Sequence, residues 1–401
     1  MKPQKNFAHQ PLFWKGSWNR HKINVTLFFK LLVMKNIKFL VCIYLFVFLA
    51  NAQQKKANLF VGTYTKSCDS KGIYVYEFDP KTGKCVFKTS TENVINPSYL
   101  SISEDKKTIF SVNENGDKSQ VTSFDFDKSL GKLTLKNSFV EVGADPCFII
   151  NDDKNVITAN YSGGSISVFE KRDDGSIGIL KQTAKHEGGS VNLKRQTSPH
   201  VHMVQFSIDK KFVLAADLGT DKIYVYDYFS ESINEVLKLK STISLKKGSG
   251  PRHFAFGSNG KTMYVLNELT GTISFLELLG GEFKSQQEYS VLAKNYKDEP
   301  RAADIKISAD NKFLYASNRE SANDISVFRI IKNGHLAFLQ RVSTIGNGPR
   351  NFTIDPSGKW LLVGNQKTNE IVIFRRNQKT GLITDSGNRV AVCAPVCLVF
   401  E

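Results

Sequence analysis

Five polar residues, widely separated in the sequence, could together bind and activate a small anion. They are His202, Arg252, Glu268, Arg319 and Arg350. Guanidinium groups bind carboxylate or phosphate through paired hydrogen bonds, and a histidine close to a carboxylate can transfer protons. These residue types predict a site for an anionic small molecule, provided that the fold brings the five side chains together.

A repeat along the chain predicts such a fold. Seven X-Pro steps begin short apolar segments, and successive prolines lie 46 to 53 residues apart. These prolines are Pro97, Pro146, Pro199, Pro251, Pro300, Pro349 and Pro395. A period of about 40 to 50 residues made of short strands is typical of β-propeller blades. The length of 401 residues would allow two or three domains, but the repeat indicates one closed ring.

Each repeat contains four short runs rich in β-branched and aromatic residues, separated by turns. The unit from Pro251 shows them at 251–256, 262–267, 272–278 and 283–291. Three runs precede Pro97, and one, Val396 to Phe400, follows Pro395. We therefore predict an all-β, seven-bladed propeller with four antiparallel strands per blade. Its C-terminal strand is expected to close the ring by joining the first three strands.

A finer spacing predicts which residues meet. An apolar residue in the first run is followed eleven positions later by Asn or Asp, as in Phe256 and Asn267. Because first strands line the channel of a propeller, we expect two sets of residues at one channel mouth. Residues four positions before the apolar landmark are Ser98, Asp145, His202, Arg252, Ala303 and Arg350. Residues directly after the Asn or Asp are Glu114, Tyr161, Leu218, Glu268, Arg319 and Gln366. His200, His253 and Arg301 are expected at the edge.

Two other interpretations of these residues were considered. Each arginine could simply pair with an acidic neighbour in another blade. Alternatively, His200 and His202 share one face of a strand and, with His253 one blade away, could bind a metal ion. The neighbouring arginines oppose a divalent cation, and the chain has no HExxH, EF-hand or GxSxG motif. We predict neither a metal nor another cofactor.

The first 52 residues lie outside the repeat and have the pattern of an export signal. They contain eight Lys or Arg and no Asp or Glu, and Met34 to Lys38 precede an apolar run, 39–49, and Ala50-Asn51-Ala52. We predict an N-terminal extension and signal peptide over 1–52, with translation from Met34 and cleavage after Ala52. The mature propeller would span 53–401 and be periplasmic or secreted. The apolar run is too short for a stable membrane anchor.

Charge and cysteine content narrow the possible partners. Removing the first 52 residues lowers the formal net charge from +16 to +8, and no basic run is interleaved with aromatic residues, which argues against nucleic acid. We expect a monomer.

No spacing of the five remaining cysteines is typical of a disulfide framework, although export would permit a bridge. Cys147 and Cys397 are expected to be buried free thiols.

The chain resembles the lactonase family of seven-bladed propellers, which includes propeller-type 6-phosphogluconolactonases and carboxymuconate cyclases. The resemblance covers about Asn58 to Phe400. It rests on the segments Gly62-Thr63-Tyr64-Thr65, Ala159-Asn160-Tyr161-Ser162-Gly163-Gly164, Ser198-Pro199-His200-Val201-His202, Ala216-Asp217-Leu218-Gly219, Gly250-Pro251-Arg252-His253, Asn267-Glu268-Leu269, Ser317-Asn318-Arg319 and Gly348-Pro349-Arg350-Asn351-Phe352.

The resemblance implies metal-free hydrolysis of a sugar-acid lactone of the 6-phosphogluconolactone type. The site residues proposed for the family correspond to His202, Arg252, Glu268 and Arg319, with His202 or Glu268 as general base. The arginines would hold the anionic group and polarise the lactone carbonyl. Further substrate contacts are expected from Arg350, His200, Arg301 and His253. Export favours a non-phosphorylated carboxylated lactone as an alternative substrate, and a non-catalytic binding propeller is the alternative from another class.

Overall fold

The computed structural model describes residues 55–140 and 142–401. The predicted extension, signal peptide and cleavage site lie outside the described residues and stay predictions. The elements in chain order are β1 Ala57–Thr63, β2 Tyr74–Asp79, β3 Lys84–Ser90, β4 Pro97–Ile102, β5 Thr108–Asn113, β6 Gln120–Asp127, β7 Lys132–Val140, β8 Pro146–Asn151, β9 Asn155–Asn160, β10 Ser165–Lys171, β11 Ile177–Lys185, β12 Val201–Phe206, β13 Phe212–Asp217, β14 Lys222–Tyr228, β15 Leu237–Ser244, β16 Pro251–Phe256, β17 Thr262–Asn267, β18 Thr272–Leu279, β19 Glu282–Ser290, β20 Ala302–Ile307, β21 Phe313–Asn318, β22 Asp324–Ile330, the 3-10 turn Lys332–Gly334, β23 Leu336–Ser343, β24 Pro349–Ile354, β25 Trp360–Asn365, β26 Glu370–Arg376, β27 Ile383–Ala391 and β28 Pro395–Phe400. Within this described part, no helix is long and apolar enough to cross a membrane.

These strands form seven four-stranded antiparallel sheets, as predicted. Six sheets take four consecutive strands, and the seventh has the order β28-β1-β2-β3. The inner strands are β28, β4, β8, β12, β16, β20 and β24, and each packs against the next around the ring. The C-terminal strand therefore closes the ring with β1, pairing Leu59 with Phe400 and Val61 with Leu398.

Burial falls from the centre of each blade to its rim. Every residue of the second strands β5, β9, β21 and β25 is buried, whereas the outer strand β19 is mostly exposed. Apolar side chains of adjacent blades pack face to face, as where Phe254 and Met263 join the cluster around β12 and β13. Removing this apolar surface from water drives assembly of the ring, and it fixes the inner strands that carry the site.

A disulfide adds a covalent link at the closure. Cys68, in the loop after β1, is bonded to Cys393, just before β28, with 6.0 Å between their Cα atoms. Export was expected to permit a bridge, but the spacing could not indicate this pair, because the two cysteines are 325 residues apart and meet only when the ring closes. Cys147 and Cys397 are buried free thiols, as predicted, and Cys85 is half-buried.

Candidate active site

A β-bulge near the start of each inner strand positions the first set of site residues. The ladder to the second strand skips one residue in six inner strands. The skipped residues are Ser98, Cys147, His202, Arg252, Arg350 and Val396. In β20 it skips two, Ala303 and Asp304. A bulge re-aims a side chain without ending the sheet, and this explains how successive blades direct different residues at one mouth.

The second set lies directly after the second strands and is held by the backbone. The N–H of Glu114 donates to Asn96 O at 3.2 Å, and that of Glu268 donates to Gly250 O at 2.8 Å. The N–H of Arg319 likewise donates to Arg301 O at 3.1 Å. Each bond ties the residue to the chain just before the inner strand of its own blade. The two sets therefore meet at the same end of the channel.

Together they line a cavity of about 280 Å³, which we call the arginine cavity. Its lining residues are Glu114, Asp145, Cys147, Tyr161, Ser162, Arg195, His202, Glu268, Arg301, Arg319 and Arg350. Five of these residues were predicted to be site residues: His202, Glu268, Arg301, Arg319 and Arg350. Four guanidinium groups face three carboxylates here, so cationic groups are in excess.

Glu268 is the centre of the arginine cluster. Its Oε2 lies 3.0 Å from Arg252 Nε and 2.9 Å from Arg319 Nη2, and its Oε1 accepts from Arg195 Nη2 at 2.8 Å. Burial raises the pKa of Glu268, but the guanidiniums of Arg319, Arg252 and Arg195 outweigh burial and lower this pKa to about 2. Glu268 is thus a permanent anion that orients three arginines.

Arg252 lies behind the cavity wall rather than on it. The side chain is fully buried, and its Nη1 donates to Ala303 O in the next blade. Burial lowers its pKa to about 10, assisted by the neighbouring charges of Arg319 and Arg350. Arg252 therefore supports Glu268 and contributes positive potential from behind the wall.

Arg195 is a site residue that the repeat pattern could not reveal. It lies in the long loop between β11 and β12, outside every blade. The loop is anchored where Gln196 Nε2 donates to Asp221 Oδ1 at 2.8 Å and His186 Nδ1 lies 2.7 Å from Asp217 Oδ2. Arg195 Nη2 also donates to the Tyr161 hydroxyl at 3.2 Å. Its buried Nη1 has no hydrogen-bond partner within residues 55–140 and 142–401, which leaves a donor for a ligand.

His202 lines the same cavity as a neutral imidazole. Burial lowers its pKa well below the usual value, and the charges of Arg252, His253 and Arg350 lower it further. Its Nδ1 lies 3.6 Å from Cys147 Sγ, and the Tyr161 ring packs edge-on with 5.4 Å between centroids. His202 can therefore donate or accept a hydrogen bond without carrying charge.

A second group of residues is centred on Glu114. Arg350 lies over the Tyr64 ring, 5.4 Å from its centroid. The Tyr64 hydroxyl donates to Glu114, at 3.0 Å from Oε1 and 3.1 Å from Oε2. Burial raises the pKa of Glu114, and the opposing effect of Arg350 only partly offsets it. Glu114 is thus a carboxylate without the clamp of arginines that surrounds Glu268.

The three residues expected at the edge have different positions. Arg301 lines the cavity and is partly exposed, with Nη2 3.3 Å from Glu299 Oε2. His200 stacks on Tyr161 with 4.5 Å between centroids, and its Nδ1 donates to Tyr161 O at 3.0 Å. His253 lines a different cavity, where its Nδ1 lies 2.9 Å from Asp304 Oδ1. Only Arg301 is brought to the arginine cavity.

Two of the three histidines considered for a metal, His200 and His253, are thus used in other contacts. His200 packs on Tyr161, and His253 pairs with Asp304. In the described part of the chain, no group of three or more His, Cys, Asp or Glu residues has the geometry to hold a metal ion.

Comparison with known proteins identifies the family. The sequence profile described as Lactonase, 7-bladed beta-propeller matches residues 58–400. The chain is 35% identical to the 6-phosphogluconolactonase of Bacillus subtilis, a match that covers 85% of this chain and 97% of that protein. It is 38% identical to the 6-phosphogluconolactonase of Formosa agariphila, over 80% of this chain and 93% of the relative.

A solved structure agrees with these sequence relatives. The periplasmic gluconolactonase PpgL of Pseudomonas aeruginosa superposes with a TM-score of 0.83 at 32% identity, covering 86% of this chain and 99% of that chain. The family predicted from the motifs around His202, Arg252, Glu268 and Arg319 is confirmed. The chain belongs to the lactonase family of seven-bladed β-propellers.

Proposed function

We propose that the protein hydrolyses a sugar-acid lactone of the 6-phosphogluconolactone type, adding water across the ring ester to release the free acid. The observation that carries the proposal is that Glu268, which three arginines clamp, and His202 line one cavity of a lactonase-family propeller. The relatives from Bacillus subtilis and Formosa agariphila are both named 6-phosphogluconolactonase. The protein is accordingly a carboxylic ester hydrolase.

The arginines account for substrate binding and for part of the catalysis. Arg195, Arg301, Arg319 and Arg350 line the cavity, so a carboxylate or phosphate of the substrate can be held by paired hydrogen bonds. A guanidinium that Glu268 has already oriented can also stabilise the negative charge that develops on the carbonyl oxygen during attack by water. Such preorganised donors are worth about 10²- to 10³-fold in rate.

The volume of the cavity restricts the substrate. About 280 Å³ suits a small, polar molecule such as a monosaccharide lactone, because ligand cavities for drug-sized molecules usually span about 300 to 1,000 Å³. Metal ions have no place in this scheme, since the charge of the substrate is balanced by arginines. We expect activity to persist in a chelator.

We also propose that the mature protein is exported. The charged start, the apolar run and the Ala50-Asn51-Ala52 pattern support this proposal, as does the disulfide between Cys68 and Cys393, a bond that persists in oxidising compartments. A relative in this family is named a periplasmic gluconolactonase. For an exported enzyme, a non-phosphorylated sugar-acid lactone is the second candidate substrate. N-terminal sequencing of the exported protein would test cleavage after Ala52.

The deciding experiment is a substrate panel. Residues 53–401 would be assayed against phosphorylated and free sugar-acid lactones by titrating the released acid, with and without a chelator. We expect His202→Ala to lower kcat/KM by at least about 100-fold, since proton-transfer or carbonyl-polarising groups contribute about that much. His335→Ala is the matched control. His335 lies just before the outer strand β23 and bonds the hydroxyl of Tyr289 on the outer strand β19, away from the cavity.

Three outcomes would contradict the proposal in different ways. Failure of the unmodified protein to open any lactone would reject the activity. Activity restricted to free lactones would favour the second substrate over the phosphorylated one. Equal activity of His202→Ala and His335→Ala would reject the site.

A further inference from the structure

Hydrolysis of a lactone needs a group that accepts a proton from water and returns it to the ring oxygen. The proposed function names the reaction but leaves this group open, and the present inference depends on that function. We propose that Glu114 is the general base, and that neutral His202 is a hydrogen-bond donor to the substrate carbonyl. The geometry of the three cavity carboxylates points to this assignment.

Two of those carboxylates are already fully engaged. Glu268 contacts three guanidiniums through its two oxygens. Asp145 Oδ1 accepts the N–H of Gly116 at 2.8 Å, and its Oδ2 accepts the Ser162 hydroxyl at 2.7 Å. A carboxylate held by cations, such as Glu268, is a weak base, and both oxygens of Asp145 are already occupied by donors. Neither residue is suited to take a proton from water.

Glu114 differs in its contacts and in its surroundings. Within residues 55–140 and 142–401, its carboxylate accepts from the Tyr64 hydroxyl and interacts with the Ser98 hydroxyl, but no guanidinium lies within ion-pair distance of it. The backbone N–H of Glu114 is bonded to Asn96 O, and Asn96 Nδ2 donates to Glu114 O at 2.8 Å, so the residue is rigidly placed. Glu114 also lines the arginine cavity. A water molecule in the cavity can therefore reach it.

The surroundings of Glu114 raise its pKa, which favours a role in proton transfer. The titratable or charged groups around it are Tyr64, Asp145, Cys147, Arg350 and, among the cavity lining, His202. Burial raises the pKa of Glu114, while Arg350 and the hydroxyls of Ser98 and Tyr64 pull it down without cancelling the rise. A carboxylate tuned upward from its usual value is a stronger base, and such carboxylates often act as general bases.

His202 is better suited to the other role. Burial and neighbouring arginines keep its pKa well below the usual range, so it is a poor proton acceptor at neutral pH. A neutral imidazole can nevertheless donate an N–H to a carbonyl oxygen, and this is how low-pKa histidines act in other enzymes. His202 and Glu114 would thus divide the work that a single residue was first expected to do.

The chemical step balances with these groups alone. Water attacks the lactone carbonyl carbon, and one water proton passes to the Glu114 carboxylate. The carbonyl π electrons move onto the oxygen, which His202 and an arginine stabilise. Collapse of this oxyanion breaks the bond between the carbonyl carbon and the ring oxygen. Glu114 then gives its proton to that oxygen, leaving a hydroxyl group, and the new acid loses its own proton to solvent.

The test compares pH profiles of kcat/KM for the unmodified protein and five variants, one of them His202→Gln, on the lactone that the panel identifies. We expect Glu114→Gln to lose about 100-fold or more of the activity and to lack the fall in rate at acid pH that protonation of Glu114 causes. Glu114→Asp should retain part of the activity. Tyr64→Phe should shift the acid limb to higher pH, because its hydroxyl holds the pKa of Glu114 down. Glu277→Gln, on β18 outside the cavity lining, is the matched control.

Each outcome decides the assignment. Glu114→Gln with more than a third of normal activity, or an acid limb unmoved in Tyr64→Phe, would overturn it. Loss of the limb in His202→Gln but not in Glu114→Gln would make His202 the base. If thermal melting shows that Glu114→Gln is unfolded, the shift of the acid limb in Tyr64→Phe decides whether Glu114 is the base. An unmodified protein inactive on every lactone would reject the proposed function itself, whereas an active one with active Glu114→Gln rejects only the role of Glu114.

Discussion

The starts and the ends of the inner strands line two cavities with different chemistry. At the starts is the arginine cavity. Further along the same strands is a cavity of about 630 Å³, here called the opposite cavity, lined by Tyr99, Phe148, Met203, His253, Asp304 and Lys306 among other residues. Consecutive residues of β16 separate the two, since Arg252 contacts Glu268 and His253 contacts Asp304.

The difference lies in how charge is balanced. In the opposite cavity Asp304 Oδ2 lies 3.2 Å from Lys306 Nζ and accepts from Asn351 Nδ2 at 2.8 Å, while Oδ1 bonds His253. These bonds tie β16, β20 and β24 together and leave no excess of charge. In the arginine cavity cations outnumber carboxylates. An internal network of balanced charge is a sign of structure, and a fixed excess of one sign is a sign of a ligand.

Removing the central carboxylate of each network should show the largest difference in stability between the two cavities. Glu268→Ala leaves three arginines uncompensated, and we expect it to lower the free energy of unfolding by about 3 to 5 kcal/mol. Asp304→Ala should cost less, because the Lys306 side chain is 29% exposed and can reach solvent. Denaturant unfolding monitored by circular dichroism would measure both. An equal or larger loss in Asp304→Ala would contradict this account of the two cavities.

Neutralising one cation in each cavity should separate their roles in catalysis. Arg319→Met removes an arginine that lines the arginine cavity, and we expect kcat/KM to fall by about 100-fold or more. Lys306→Met, its matched control in the opposite cavity, should change kcat/KM by less than about 2-fold, since Lys306 pairs with Asp304 and does not line the arginine cavity. Steady-state kinetics on the same lactone would measure both. Comparable losses would show that the opposite cavity also takes part in the reaction.

The opposite cavity should also make stability depend on pH. Burial, the charge of Arg252 and the nearby Lys306 outweigh Asp304 and hold the pKa of His253 at about 4, against its usual 6.5. Between these values the unfolded chain binds more protons than the folded one. The contribution of neutral His253 to the free energy of unfolding is therefore full above pH 6.5 and is lost as pH falls to 4. This loss is on the order of 3 kcal/mol.

The variant His253→Gln isolates this contribution. Its free energy of unfolding should fall less than that of the unmodified protein between pH 6.5 and 4, as measured by urea titration at each pH. His335→Gln, on the outer rim, is the control. Parallel curves for His253→Gln and the unmodified protein would show that His253 is not held neutral.

The smallest difference between the two cavities is expected from the covalent link, which should support both equally. We expect Cys68→Ser to lower stability by about 2 to 4 kcal/mol, because the bridge restricts the unfolded chain, and to leave kcat/KM within about 2-fold. A reductant should lower the melting temperature of the unmodified protein but not that of Cys68→Ser. A large change in activity would mean that the link also positions Tyr64, which begins the same loop.

Most of the fold could be predicted because each blade repeats its pattern. The prolines and the eleven-residue spacing located all the inner strands. At Pro199 and Pro300 the finer spacing was the better guide, since β12 begins at Val201 and β20 at Ala302. In the blade of β8, Pro146 located the inner strand better than the eleven-residue spacing did. The turn there is two residues shorter, so the bulge holds Cys147 rather than Asp145.

The parts of the site that escaped prediction depend on contacts outside the repeat. Arg195 lies in an inter-blade loop, and its contacts with Glu268 and Tyr161 form only in the folded chain. Glu114 stood in the right position but was passed over, because the spacing does not show which carboxylate the three arginines will clamp. His253 was expected near the mouth, yet the alternation of side chains along β16 directs it to Asp304. The bridge between Cys68 and Cys393 depends on closure of the whole ring.

The bulges at the inner-strand starts have a consequence for how such a protein can change. A residue that the ladder skips contributes no paired backbone bonds there, so its side chain can be exchanged with little effect on the sheet. In this chain those positions hold a serine, a cysteine, a histidine, two arginines and a valine. The ring thus has a set of positions on one face whose side chains can vary. A library of variants changed at these positions alone could alter substrate choice while the rest of the fold stays constant.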